Sequence, residues 1–282
     1  MKKKNFINVN IRLNEENYEL AYANLMDIDF CGIEERIDEL VISFDEEQWN
    51  SEVQNEILNR LMVIDSTAQI LNVESIADKN WNEEWEKHIQ PIQIDDKIVI
   101  TPTWKAEEVS AEHKILINPK MSFGTGHHST TRLCCRLMYN IVKPGSRWID
   151  VGTGTGILAI LAIKLGAEYC FAFDNNIWSV ENSEENFKLN NVESHIDLSE
   201  QDIDSIVLPE SDAIAANLFI NLVLRTMDKF YSALKSKKGD LVLSGIMIYN
   251  KDEVLDEAKK AGFELIELIT EDEWVAFHFR AN

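Results

Sequence analysis

The sequence has no run of about eighteen apolar residues, so it offers no membrane-spanning helix. It begins with basic residues, Met1-Lys2-Lys3-Lys4, but Asn5 to Asn10 then alternates apolar and polar side chains, which is no signal-peptide core. Cysteine is scarce. Cys31, Cys134, Cys135 and Cys170 lack metal-ligand spacing, and they predict a reduced, cytoplasmic chain. Positive charge is also short: 27 Lys and Arg stand against 49 Asp and Glu, a formal net charge of −22. That deficit argues against broad contact with nucleic-acid phosphate and favours a basic partner through long-range attraction. What is present is length and core material: 282 residues, 45% of them apolar, give room for two domains.

One stretch organises the rest. Arg147-Trp148-Ile149-Asp150-Val151-Gly152-Thr153-Gly154-Thr155-Gly156, then Ile157 to Ile163, reads as a buried strand, a tight glycine turn and an apolar helix. Three glycines remove the Cβ atoms where a ligand would approach the backbone. The helix start is expected to aim free N–H groups at that ligand. A second strand, Tyr169 to Phe173, ends in Asp174, at the offset where an acid accepts both hydroxyls of a ribose. Ile157 occupies the last glycine position of the dinucleotide fingerprint, which argues against a nicotinamide dehydrogenase. The G-x-G-x-G turn with Asp150 two residues before it resembles the S-adenosylmethionine (SAM) loop of Rossmann-like methyltransferases.

Before this unit, residues 5 to 76 read as strand, helix, strand, strand, helix, strand, a ferredoxin-like α+β pattern. Asn14 is expected to cap the first helix and Asp45 to open the second. Asn80 to His88, with Trp81 and Trp85 on one face, predicts a linker helix. The expected domains are therefore 1–76, a recognition domain; 77–92, the linker; and 93–282, the methyltransferase domain. Strand-like pieces at Ile89–Ile94, Lys97–Thr101 and Lys114–Asn118 come next. The loop Asn118 to Thr131 then brings a serine, threonines and free N–H groups to a helix start, a setting for a carboxylate. Adjacent His127 and His128 cannot easily share a metal from one helix face, and no metal is expected. Further strands around Ala213–Ala216 and Asp240–Ser244 and a hairpin over residues 263–279 predict a seven-stranded sheet with an antiparallel edge. Gly152, Asp174 and Asn217 fall at carboxyl ends of its strands, where such sheets bind ligands.

Together these motifs resemble the PrmA family, the ribosomal protein L-eleven methyltransferases. The likeness runs from about Asn80 to Arg280. Its most specific piece is Phe123-Gly124-Thr125-Gly126-His127-His128-Ser129-Thr130-Thr131-Arg132-Leu133-Cys134, where the family has F-G-T-G-T-H-P-T-T-x-L-C. His127, Ser129 and Thr153 depart from the family's threonine, proline and cysteine. The resemblance implies a SAM-dependent protein methyltransferase with ribosomal protein L-eleven as its basic substrate. The acceptor would be a lysine ε-amine, the N-terminal α-amine or both. It also implies SAM contacts at Thr131, Gly152, Asp174 and Asn217. Asn217 and the carbonyls after it are further expected to accept the amine's hydrogens and aim its lone pair. The alternatives are methylation of another protein or small-molecule amine, and a non-catalytic SAM-binding protein. Asn217-Leu218-Phe219-Ile220 lacks the prolines of the N-P-P-Y motif, which lowers a nucleic-acid reading.

Overall fold

The computed structural model describes residues 5–25, 28–77, 90–118 and 122–282. The expected linker helix lies almost wholly outside them. The chain separates into two compact units, Met1–Lys87 and His88–Asn282.

The N-terminal unit is built from alternation. In β1 (Asn5–Arg12), Ile7, Val9 and Ile11 point inward while their neighbours do not. They meet Leu40, Ile42 and Phe44 of β3 (Glu39–Asp45) and Ile57 and Leu61 of α2 (Ser51–Ile64). With β2 (Gly32–Arg36), β4 (Gln69–Ala77) and α1 (Tyr18–Leu25), the unit has an antiparallel sheet of order β2-β3-β1-β4. This is the ferredoxin-like topology.

Two expected caps are corrected. Asp45 ends β3, paired with Phe6, and the cap of α2 is Asn50. Asn50 Oδ1 accepts from Glu52 N at 2.8 Å and Val53 N at 3.1 Å, which satisfies two orphan amides. The turn between them lets Trp49 lean on Phe44, ring centroids 5.0 Å apart. Asn14 precedes a short 3-10 turn, and its side chain makes no cap. Its backbone N–H donates instead to Asp65 Oδ2 at 3.1 Å.

The second unit opens with a three-stranded sheet of β5 (Ile92–Ile94), β6 (Ile98–Thr101) and β7 (His113–Leu116). Helix α3 (Ser129–Ile141) follows. Strands and helices then alternate: β8 (Arg147–Val151), α4 (Ile157–Lys164), β9 (Tyr169–Asp174), α5 (Ile177–Leu189), β10 (Ile196–Glu200), β11 (Ala213–Asn217), α6 (Ile220–Leu234), β12 (Asp240–Met247) and α7 (Lys251–Ala261). The chain closes with β13 (Phe263–Glu271) and β14 (Trp274–Ala281). The seven-stranded sheet has the order β10-β9-β8-β11-β12-β14-β13. Its first five strands are parallel, and β14 runs against both β12 and β13.

The strand period of two divides the core between the two faces of this sheet. Trp148, Cys170, Ala215 and Val242 pack with α3, α4 and Phe187 of α5. Ile149, Phe173, Ile214 and Leu243 pack with α6 and α7. Helix α4 carries no polar face because Ile157 to Ala162 are all buried. Buried amides fasten α5 to β7: Asn190 Oδ1 accepts from Leu116 N at 2.9 Å, and Asn190 Nδ2 donates to Leu116 O at 2.6 Å. Gly166 takes φ +108°, the left-handed stop expected just past α4. Among the described residues, no helix is long and apolar enough to cross a membrane.

Candidate active site

Strand order reverses between β8 and β11, and crevices form outside the carboxyl ends of strands at such a switch. A cavity of about 920 Å³ lies there. Gly152 and Gly154 after β8, Asp174 after β9, Gln201 after β10, Asn217 after β11 and Gly245 in β12 all line it.

The glycine turn is more self-contained than its sequence predicts. Gly152 N and Thr153 N both donate to Phe173 O at 3.0 Å. Gly154 N donates to Asp174 Oδ2 at 3.0 Å. Thr155 N reaches Phe123 O at 2.9 Å, and Gly156 N reaches Thr153 O at 2.8 Å. The turn's amides are thus paired within the chain. Deeper in α4, Ala159 N donates to Asp150 Oδ2 at 3.1 Å, beside Thr153 Oγ1 at 2.7 Å. Gly154 is glycine for a related reason: a Cβ there would run into the Phe123 carbonyl, so a chain loop rather than a ligand fills that space. Gly152 holds φ +69°, and a Cβ on it would come within 2.8 Å of Leu218 Cδ2.

Asp174 Oδ1 accepts from Asn176 N at 3.0 Å, so each of its oxygens has one backbone bond and spare acceptor capacity. Asp150 is fully buried. That burial outweighs the hydrogen bonds from Thr153 and Ala159 and, with a smaller push from Asp174, raises its carboxyl to about 6. Its Oδ1 has no partner. Asn182, also buried and on the cavity wall, accepts from Asn186 Nδ2 at 3.2 Å but leaves its own Nδ2 donor without a partner.

The start of α3 is also spoken for. His128 is its cap, and its Nδ1 accepts from Thr130 N at 3.3 Å. Ser129 Oγ donates to Asp272 Oδ2 at 2.7 Å. The anticipated cluster of donors for a carboxylate is therefore largely consumed by the cap and the β13–β14 turn. Thr130 lines the cavity. Thr131, the sequence-based choice, is as deeply buried as Thr130 but is off the cavity wall, with Oγ1 3.5 Å from Asn217 Nδ2. Adjacent helical residues point about 100° apart, so only the packed fold decides which threonine faces the cavity. Burial, and then the nearby Arg132, holds both His127 and His128 below the usual imidazole value.

Sequence reasoning also left Trp178, Gln201, Ile203 and Asn182 unassigned. Gln201 and Ile203 carried one usable signal, their place just past a strand's carboxyl end. Trp178 is 72% exposed at the start of α5, an uncommon setting for a tryptophan and one that fits a binding wall.

This strand order, the glycine turn after the first parallel strand and the acid after its neighbour define a Rossmann-like, SAM-dependent methyltransferase. The family model described as Ribosomal protein L11 methyltransferase (PrmA) matches residues 29–282. A ribosomal protein L11 methyltransferase of Chlorobaculum parvum is 33% identical over 289 aligned positions, covering 98% of this chain and 96% of that protein. One from Bacillus subtilis is 35% identical over 227 positions, covering 78% and 72% respectively. The crystal structure of a ribosomal protein L11 methylase from Lactobacillus delbrueckii subsp. bulgaricus is 27% identical with a TM-score of 0.62, covering 69% of this chain and 100% of that one. The chain belongs to the ribosomal protein L11 methyltransferase family. The fold class, cofactor and reaction class expected from the sequence hold.

Proposed function

We propose that this chain transfers the methyl group of SAM to an amine nitrogen of ribosomal protein L11, a lysine ε-amine, the N-terminal α-amine or both. The observation that carries this reading is Asn217. It stands at the carboxyl end of β11 on the cavity wall, and its Nδ2 is bound to Thr130, so Oδ1 is left to meet an acceptor N–H.

The residues suit the cofactor. Asp174 has acceptor capacity for two ribose hydroxyls, and the orphaned Asn182 Nδ2 supplies a buried donor. Gly152 would approach the cofactor through its main chain, and Asn217, at the end of the neighbouring strand β11, would lie beside it. Thr131 would act from behind, through Asn217. When bound, SAM supplies an electrophilic methyl group.

The chain's own task is alignment, because an in-line displacement gains most from orientation. The amine must be neutral, and free values of ~10.4 for lysine and about 8 for an α-amine make that harder for lysine. Phe123, Phe173, Leu218 and Trp274 wall the cavity with apolar surface, which disfavours the ammonium form. Asn217 Oδ1 accepts an amine hydrogen and turns the nitrogen lone pair toward the methyl. The acceptor sheds its ammonium proton to water before transfer and the sulfonium departs as a neutral thioether, so no acid–base side chain is required.

The N-terminal unit we assign to substrate recognition, and the charge of −22 suits a basic ribosomal protein. We place the reaction in the cytoplasm, with the ribosomal proteins. Incubation with methyl-labelled SAM and purified L11, followed by mass spectrometry, tests the reading. Label on lysine or α-amine nitrogens is expected, and an unlabelled L11 would refute it.

A further inference from the structure

Behind Asn217 lies a chain of hydrogen bonds whose directions are fixed. His128 Nδ1 accepts from Thr130 N at 3.3 Å, so that nitrogen carries a lone pair and the neutral ring has its proton on Nε2. Thr130 Oγ1 lies 2.8 Å from the same Nδ1 and can only donate to it. The lone pairs of Thr130 Oγ1 are then left for Asn217 Nδ2, at 3.1 Å. The His128 ring is held between Trp274, at 4.7 Å between centroids, and Phe123, at 5.4 Å. One imidazole tautomer thus sets one hydroxyl direction, and that hydroxyl sets one carboxamide orientation.

We propose that His128 and Thr130 are positioning residues: they lock the Asn217 carboxamide with Nδ2 toward α3, so that only Oδ1 meets the acceptor amine. The inference rests on the reading of Asn217 as the amine's hydrogen-bond acceptor. It has a chemical consequence. A neutral primary or monomethyl amine has an N–H to give to Oδ1. A neutral dimethylamine has none. The relay therefore serves the first two methyl transfers and is idle in a third.

The test is Thr130→Val, which removes the hydroxyl and keeps the shape. With unmethylated L11, kcat should fall about tenfold, the rate equivalent of one neutral hydrogen bond. The KM for L11 and the Kd for SAM should change by less than about twofold, because the contact orients rather than binds. With L11 already dimethylated at its acceptor amines, the rate should be unchanged. Thr130→Ser should restore the rate on unmethylated L11. His128→Asn retains a capping oxygen but adds an amide donor toward Thr130, which frees the hydroxyl direction, so it should reproduce the Thr130→Val pattern. It covers the case in which valine at 130 does not fold. An equal loss on both acceptors, or a loss of SAM affinity alongside kcat, would overturn the relay and make Thr130 a cofactor or purely structural contact. A wild-type protein that binds SAM but leaves every L11 amine unmodified would instead overturn the reading beneath it.

Discussion

Asp174, at the end of β9, accepts the backbone N–H of Gly154, at the crown of the turn after β8, at 3.0 Å. The acid and the turn are twenty positions apart in sequence and one hydrogen bond apart in space. The bond holds the glycine turn against the acid while leaving the carboxylate able to accept more. Asp174→Ala should weaken SAM binding by roughly 1.5–3 kcal/mol through loss of a charged hydrogen-bond partner. Isothermal calorimetry checks this, and unchanged affinity would remove Asp174 from the cofactor site.

The N-terminal unit has its own sheet and its own core, centred on Val9, Ile42 and Leu61. Removal of residues 1–76 should leave SAM affinity intact and abolish methylation of L11. Continued methylation at the full-length rate would show that recognition resides elsewhere.

Asp150 gives a pH dependence of definite sign. Its folded pKa, about 6, lies above its unfolded value, so in the folded state its proton is held more tightly. Stability is therefore unaffected below about pH 4, declines as pH rises toward 6, and carries a constant penalty of about 3 kcal/mol above that. Asp150→Asn keeps an oxygen for Thr153 and Ala159 and cannot ionise. Denaturant melts should show the variant gaining on the wild type between pH 4 and 7, whereas parallel curves would contradict the buried-acid account.

Asp240 behaves in the opposite way. Burial works against its carboxylate, but His278 Nε2 at 2.8 Å and Arg280 Nε at 2.9 Å outweigh it and hold the pKa below the usual value. The stabilisation is full above an unfolded value near ~4 and is lost as pH falls through the lower folded one. Asp240→Asn should cost roughly 2–3 kcal/mol at neutral pH and much less in strong acid. Thermal melts at both pH values decide it.

Local chemistry explains what could be read in advance. The run from Trp148 to Gly156 encodes strand and turn in adjacent residues, and Asp174 follows at a spacing set by one helix. The failures share a different origin. Asp45 and Asn50 are both good caps, and only the pairing of Asp45 with Phe6 across the sheet selects Asn50. The pairing of the turn's amides was not legible either, because Phe123 O, which takes one of them, comes from a loop about thirty residues earlier. His128 as the cap of α3 had no signal, since imidazole is not among the preferred capping groups. Long-range pairing made each of these choices, and periodicity does not report it.

We assign the cofactor to Asp174 and the acceptor amine to Asn217. A crystal structure of the protein with S-adenosylhomocysteine and a lysine-bearing segment of L11 tests this assignment most directly. The ribose hydroxyls should lie within hydrogen-bonding distance of the Asp174 carboxylate, with the amine nitrogen beside Asn217 Oδ1. A nucleoside seated away from Asp174, or an amine held by Asn217 Nδ2, would contradict it.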